Sequence, residues 1–84
     1  MTTTPAVVQQ AIAALAKDLG VTAGQISVVR VTEEEWPDSS LGCPKPGQAY
    51  LQVITPGYRV VLGANGKEYE YHTDMASQVI ACGR

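Results

Sequence analysis

Eighty-four residues, eight acidic groups against six basic ones and a net charge of −2 leave room for one domain with a modest core. No apolar run approaches the ~20 residues that span a bilayer, and a pI near 5.1 excludes the strongly basic surface that nucleic-acid binding depends on. Hydrophobic content of 45% beside 17% charged residues is globular rather than disordered.

Thr2 to Thr4 read as a frayed tail, and the first element is a helix over residues 5–19. Thr4 is placed to N-cap it, and Pro5 suits the first helical position, where a missing N–H costs nothing. Val8, Ile12, Leu15 and Leu19 fall on one helical face, and Gly20 is the expected left-handed stop. After a short connector, residues 26–34 read as the first strand. The adjacent Val28 and Val29 break its alternation, so either one faces each side or a bulge intervenes. Glu33, Glu34 and Glu35 read as a solvated strand end.

Residues 36–48 hold Pro37, Pro44 and Pro46 with Gly42 and Gly47, too much punctuation for a regular element. Irregular segments of that length in a compact domain are usually functional or pinned in place. Asp38, ahead of Ser39 and Ser40, is positioned to close an Asx-type turn. Residues 49–82 then read as an antiparallel meander. Residues 49–55 are extended, Pro56-Gly57 bends or bulges the chain, and residues 58–62 continue as strand. Tyr58, Val60 and Leu62 share one face of it, Arg59 and Val61 the other. Ala64-Asn65-Gly66 is a hairpin turn, Tyr69, Tyr71 and Thr73 alternate against Glu68, Glu70 and His72, and a short strand over 78–82 closes the sheet. The predicted fold class is α+β: one N-terminal helix on a four-stranded (three to five) antiparallel sheet, with a long Pro/Gly-rich loop.

Cys43 lies in the loop and Cys82 at the C-terminal edge. A bond between them would close about 40 residues and constrain the unfolded chain by roughly 4 kcal/mol; the alternative is two buried free thiols packing as small hydrophobes. The short chain and the loop's need for a tether favour the disulfide. Met1-Thr2-Thr3-Thr4-Pro5 has neither the basic nor the apolar region of a signal peptide. A secreted or envelope location therefore expects a leader absent from this chain, and a cytoplasmic protein with reduced thiols is the alternative.

Cys43, His72 and Asp74 have the residue types of a nucleophile, a base and an orienting group, but no thiol-protease signature surrounds Cys43. The same three residues lack the ligand spacing of a metal site. Gly-x-Ser-x-Gly around Ser39 or Ser40 is missing too, so the expectation is no enzyme, no metal and no cofactor. Trp36 and the tyrosines Tyr50, Tyr58, Tyr69 and Tyr71 carry all the large aromatic area. One reading puts Trp36, Tyr58 and one of Tyr69 or Tyr71 in the core beneath the helix. The other leaves some of them beside the loop as rigid anchors for a protein partner.

The segments Trp36-Pro37-Asp38-Ser39-Ser40-Leu41-Gly42-Cys43-Pro44, Gln52 to Leu62 and Tyr69-Glu70-Tyr71-His72-Thr73-Asp74 together resemble a family of small bacterial domains. These occur as predicted secreted proteins or lipoproteins and have no assigned activity. The resemblance runs from the helix to Cys82 and implies an extracytoplasmic location and a Cys43–Cys82 pair. More loosely, Val79-Ile80-Ala81-Cys82-Gly83 is similar to the ending of some serine-peptidase inhibitors related to the potato type I fold, which share a helix, a constrained loop and a strand pair. The loop and strand order does not obviously agree, and the reactive-loop pattern is absent, so this analogy stays at the level of the fold.

The expected function is a non-enzymatic extracytoplasmic interaction module that recognises a protein partner, a peptidase in its sharpest form, through the Trp36–Gly47 loop. Its candidate binding residues are Trp36, Asp38, Ser39, Ser40, Leu41, Tyr50 and His72. Neither nucleic acid nor a membrane-spanning segment is expected, and the sequence gives no oligomeric state. The alternatives are a structural domain with no ligand of its own and, third, a thiol enzyme using Cys43 and His72.

Overall fold

A computed structural model describes residues 5–82. Helix α1 runs Ala6–Leu19, a single 3-10 turn covers Ala23–Gln25, and four strands follow: β1 Ser27–Trp36, β2 Thr55–Ala64, β3 Lys67–Asp74 and β4 Val79–Cys82. They form one antiparallel sheet in the order β1-β2-β3-β4. The predicted tail and Thr4 cap lie outside the described residues; Pro5 itself occupies the N-cap, with no side-chain cap bond. Gly20 ends the helix as expected, left-handed at φ 70° with its N–H on the Ala16 carbonyl.

One face of the sheet carries Val60, Leu62, Ala64 and Tyr71, packed on Val8, Ala11 and Leu15 of α1 and on Ile26. Tyr58 and Tyr69 are half-buried against the same cluster. The other face is partly covered by the start of the loop, where Leu41, Gly42 and Cys43 meet Trp36 and His72. Side chains alternate between faces along a strand, which sends Arg59, Val61, Glu70 and His72 to the loop side.

The boundaries shift from the sequence expectation in a connected way. Strand β1 continues through Glu35 and Trp36 because β2 is long enough to pair with it down to Trp36↔Thr55. The expected extended run 49–55 is loop up to Ile54, since that pairing ends at Thr55 and leaves residues 49–54 no strand to join. Their tie is instead to the loop's own start: the Ser39 N–H donates to the Leu51 carbonyl, and the Leu51 N–H donates to Ser39 Oγ. Pro56-Gly57 does not interrupt β2, which passes through both. The Val28-Val29 irregularity is a register shift between Val28 and Arg30, and Asn65 and Gly66, both at positive φ, make the hairpin turn.

The link from β3 to β4 is held by Asp74. Its Oδ1 accepts the N–H groups of Ala76, Ser77 and Gln78, each at 2.9 Å. Burial pushes this carboxyl up, but the three backbone donors outweigh it and hold the pKa below the usual 3.8. A carboxylate depressed by folding stabilises the fold above its unfolded pKa, and that contribution is lost as pH falls through the folded value. Asp74→Asn, which keeps an acceptor oxygen but no charge, is expected to flatten the loss of stability below about pH 4. Asp74→Ala should cost about 1–2 kcal/mol at neutral pH. Urea unfolding at several pH values checks both.

Candidate functional site

The loop-side face of the sheet gathers one aromatic ring, one imidazole, one carboxylate and both sulfurs. Trp36 closes β1 and His72 sits in β3, with β2 between them, so the indole spans that strand. The two rings stack with centroids 4.3 Å apart and planes 17° apart, and Trp36 Nε1 donates to the Thr73 carbonyl at 2.9 Å. At this level β2 offers Gly57, where a Cβ would overlap the same Thr73 carbonyl. Glycine is needed there for close backbone approach.

His72 is buried and held at both nitrogens. Nδ1 donates to the Leu41 carbonyl at 2.6 Å, and Nε2 donates to Glu70 Oε2 at 2.5 Å. Glu70 is two residues from His72 on the same strand and therefore on the same face. Arg59 Nε lies 3.7 Å from Glu70 Oε2 and 3.8 Å from Glu34 Oε2, a half-exposed bridge worth little in stability.

The loop comes to His72 through an unusual backbone. Leu41 and Gly42 both have positive φ, 57° and 77°. For a bulky residue such as leucine that conformation costs on the order of 1–2 kcal/mol. Complete burial of the Leu41 side chain and the use of its carbonyl by His72 offset the cost. Gly42 has no substitute: a Cβ there would sit 2.9 Å from Trp36 Cζ3 and 3.3 Å from His72 Nδ1. Upstream, Asp38 Oδ1 accepts from the Ser40 N–H at 3.0 Å and from its hydroxyl, the Asx turn that the sequence suggests.

Cys43 follows and is bonded to Cys82 of β4, with Cα atoms 6.0 Å apart. The Cys43 sulfur lies 3.1 Å from His72 Nδ1. Beside the bond is an open cleft of about 410 Å³ lined by Gly42, Cys43, Pro44, Lys45, Glu70, His72, Ala81 and Cys82.

Several sequence expectations are thereby relocated. Trp36, Ser40, Leu41 and His72 are buried and cannot form a free recognition surface; they fasten the loop's first arm to the sheet. Trp36 is not beneath the helix but on the opposite face, because its place in β1 points it there. Asp38 and Ser39 serve the turn and the tie to Leu51. Tyr50 stands apart, its hydroxyl accepting from the Lys45 N–H at 2.9 Å. The grouping of Cys43 and His72 is real, but Asp74 is not its third member, since it caps the turn to β4. Glu70 takes that place; period-two alternation puts both Glu70 and Asp74 on the face of His72, and the engagement of Asp74 by the turn to β4 decides between them. With Cys43 oxidised there is no free thiol nucleophile.

Together these features define a small helix–sheet–loop domain whose loop is stapled by a disulfide over a Trp–His stack. The chain belongs to the family described as Domain of unknown function (DUF8738), which it matches over residues 8–82. No curated protein and no solved structure matches it. Among the described residues, no helix is long and apolar enough to cross a membrane.

Proposed function

We propose that this protein is a non-enzymatic, extracytoplasmic interaction module that meets its partner with the outer arm of the loop, residues 45–54. One observation carries the reading: Leu51, Val53 and Ile54 are 70%, 53% and 70% exposed, three large apolar side chains within four positions of an ordered segment. Single exposed apolar residues need no explanation, whereas a concentrated group on a supported loop is what binding surfaces present. This moves the recognition surface away from the expected Trp36–Gly47 segment, whose Trp36, Ser40 and Leu41 are buried, to the following residues, which solvent reaches.

The arm is held ahead of its start by Cys43–Cys82, within it by the paired bonds between Ser39 and Leu51, and at its end by its continuation into β2 at Thr55, so little conformational entropy is lost on binding. Occupation of a peptidase cleft is the sharpest form of the reading, because tethered ends keep a cut loop in place. The disulfide supports an oxidising compartment, hence a secreted or envelope protein.

The double substitution Leu51→Ser/Ile54→Ser should leave unfolding free energy within about 0.5 kcal/mol of wild type, as exposed positions do. It should weaken inhibition of a sensitive secreted serine peptidase, or binding of a partner cross-linked in the native secretome, at least tenfold. A panel that finds neither, with stability lowered by the same double change, would favour a purely structural domain.

A further inference from the structure

We propose a second state of the Cys43–Cys82 pair: once reduced, the two thiolates and His72 Nδ1 bind a zinc ion, with Glu70 holding the imidazole from behind. This stands independently of the interaction surface on residues 45–54. The donor atoms of Cys43, His72 and Cys82 already lie within 4.8 Å of one another. A tetrahedral zinc site with Zn–S of about 2.3 Å and Zn–N of about 2.0 Å spaces its donors by roughly 3.5–3.8 Å. The separated sulfurs reach that spacing by side-chain rotation across a Cα distance of 6.0 Å.

The surroundings add two features that a bare disulfide does not require. Zinc-bound histidines commonly donate their second nitrogen to a carboxylate, which fixes the ring and its tautomer, and Glu70 accepts from Nε2 here. That leaves Nδ1 as the ligand nitrogen, 3.1 Å from the Cys43 sulfur and 2.6 Å from the Leu41 carbonyl, which has to swing aside for the ion to take its place. The cleft beside the three residues is open to solvent, giving water the fourth position. Sequence spacing hides the site because its ligands come from the loop, β3 and β4.

A dithiol reductant supplies the two electrons: it is oxidised to its own disulfide as the Cys43–Cys82 bond breaks and both sulfurs become thiols. On binding, each thiol releases its proton to solvent, and Nδ1 releases the one now directed at the Leu41 carbonyl. The domain would thus exchange one crosslink between loop and β4 for another.

The test is metal binding by the full chain, oxidised and after anaerobic reduction with a phosphine, using Zn²⁺ in a chromophoric-chelator competition and Co²⁺ by its thiolate charge-transfer and tetrahedral ligand-field bands. Expected are one tightly held ion per reduced chain and none per oxidised chain. Glu70→Gln should weaken binding about tenfold or more, and His72→Ala further, with loss of the imidazole contribution to the cobalt spectrum. If the reduced apoprotein unfolds, zinc should restore the native circular dichroism in wild type but not in His72→Ala. Absence of binding after reduction, or binding unaffected by His72→Ala, would overturn the proposal.

Discussion

Replacing both cysteines, Cys43→Ser with Cys82→Ser, is expected to lower the unfolding free energy by about 4 kcal/mol. The two residues are 39 positions apart, and the unfolded chain gains the freedom of that whole loop when the bond is gone. A domain of this length has roughly 4–12 kcal/mol to lose, so the change moves it towards the edge of folding. The native state suffers as well. Residues 37–54 contribute no strand, and the disulfide acts on them alongside the Leu41–His72 hydrogen bond, the buried Leu41 side chain and the packing of Gly42 on Trp36. Urea denaturation of the double variant against oxidised wild type measures the difference, and serines in place of thiols keep metal binding out of the comparison. A loss below about 1 kcal/mol would mean that the buried first arm of the loop holds without its staple, and that the unfolded chain is already compact.

The helix and meander were legible because their signals are local. Val8, Ile12 and Leu15 repeat at helical spacing, Gly20 marks the stop, and Asn65-Gly66 fixes the hairpin and with it the register of β2 on β3. The loop was legible as irregular but not as the cover of a second sheet face. Its proline and glycine content signals an absence of regular structure, whereas what it covers depends on where β1 ends. Reading β1 to residue 34 leaves Trp36 free to be a surface anchor; two more residues of strand carry it over the sheet onto His72. The Cys43–His72 contact was within reach from residue types alone, but Asp74 and Glu70 compete for the place beside them. Strand alternation does not separate them, since both share the face of His72, and only the turn to β4 shows that Asp74 is engaged by three backbone N–H groups. The positive φ of Leu41 carries no sequence signal, since leucine is among the residues least expected there.

That relocation of Trp36 produces the sharpest contrast between holding the loop and presenting it. Trp36→Ala is expected to cost about 3–5 kcal/mol, the range for removing a buried large aromatic, because the indole is 5% exposed and fills the space between the sheet, Gly42 and His72. It also leaves the Thr73 carbonyl without the Nε1 donor. Trp36→Phe separates the two contributions. It keeps a ring to stack on His72 and removes the N–H, so about 1–2 kcal/mol should be lost and the rest retained. Leu51→Ser/Ile54→Ser touches the same loop on its solvent side and should do the reverse, sparing the fold and weakening partner binding. Denaturant unfolding and partner affinity measured on all three variants place each residue on one axis or the other. A Trp36→Ala protein that unfolds at the wild-type midpoint yet no longer binds would return the tryptophan to the recognition surface. Loss of stability in graded order, Ala below Phe below wild type, identifies it as the post on which the loop rests.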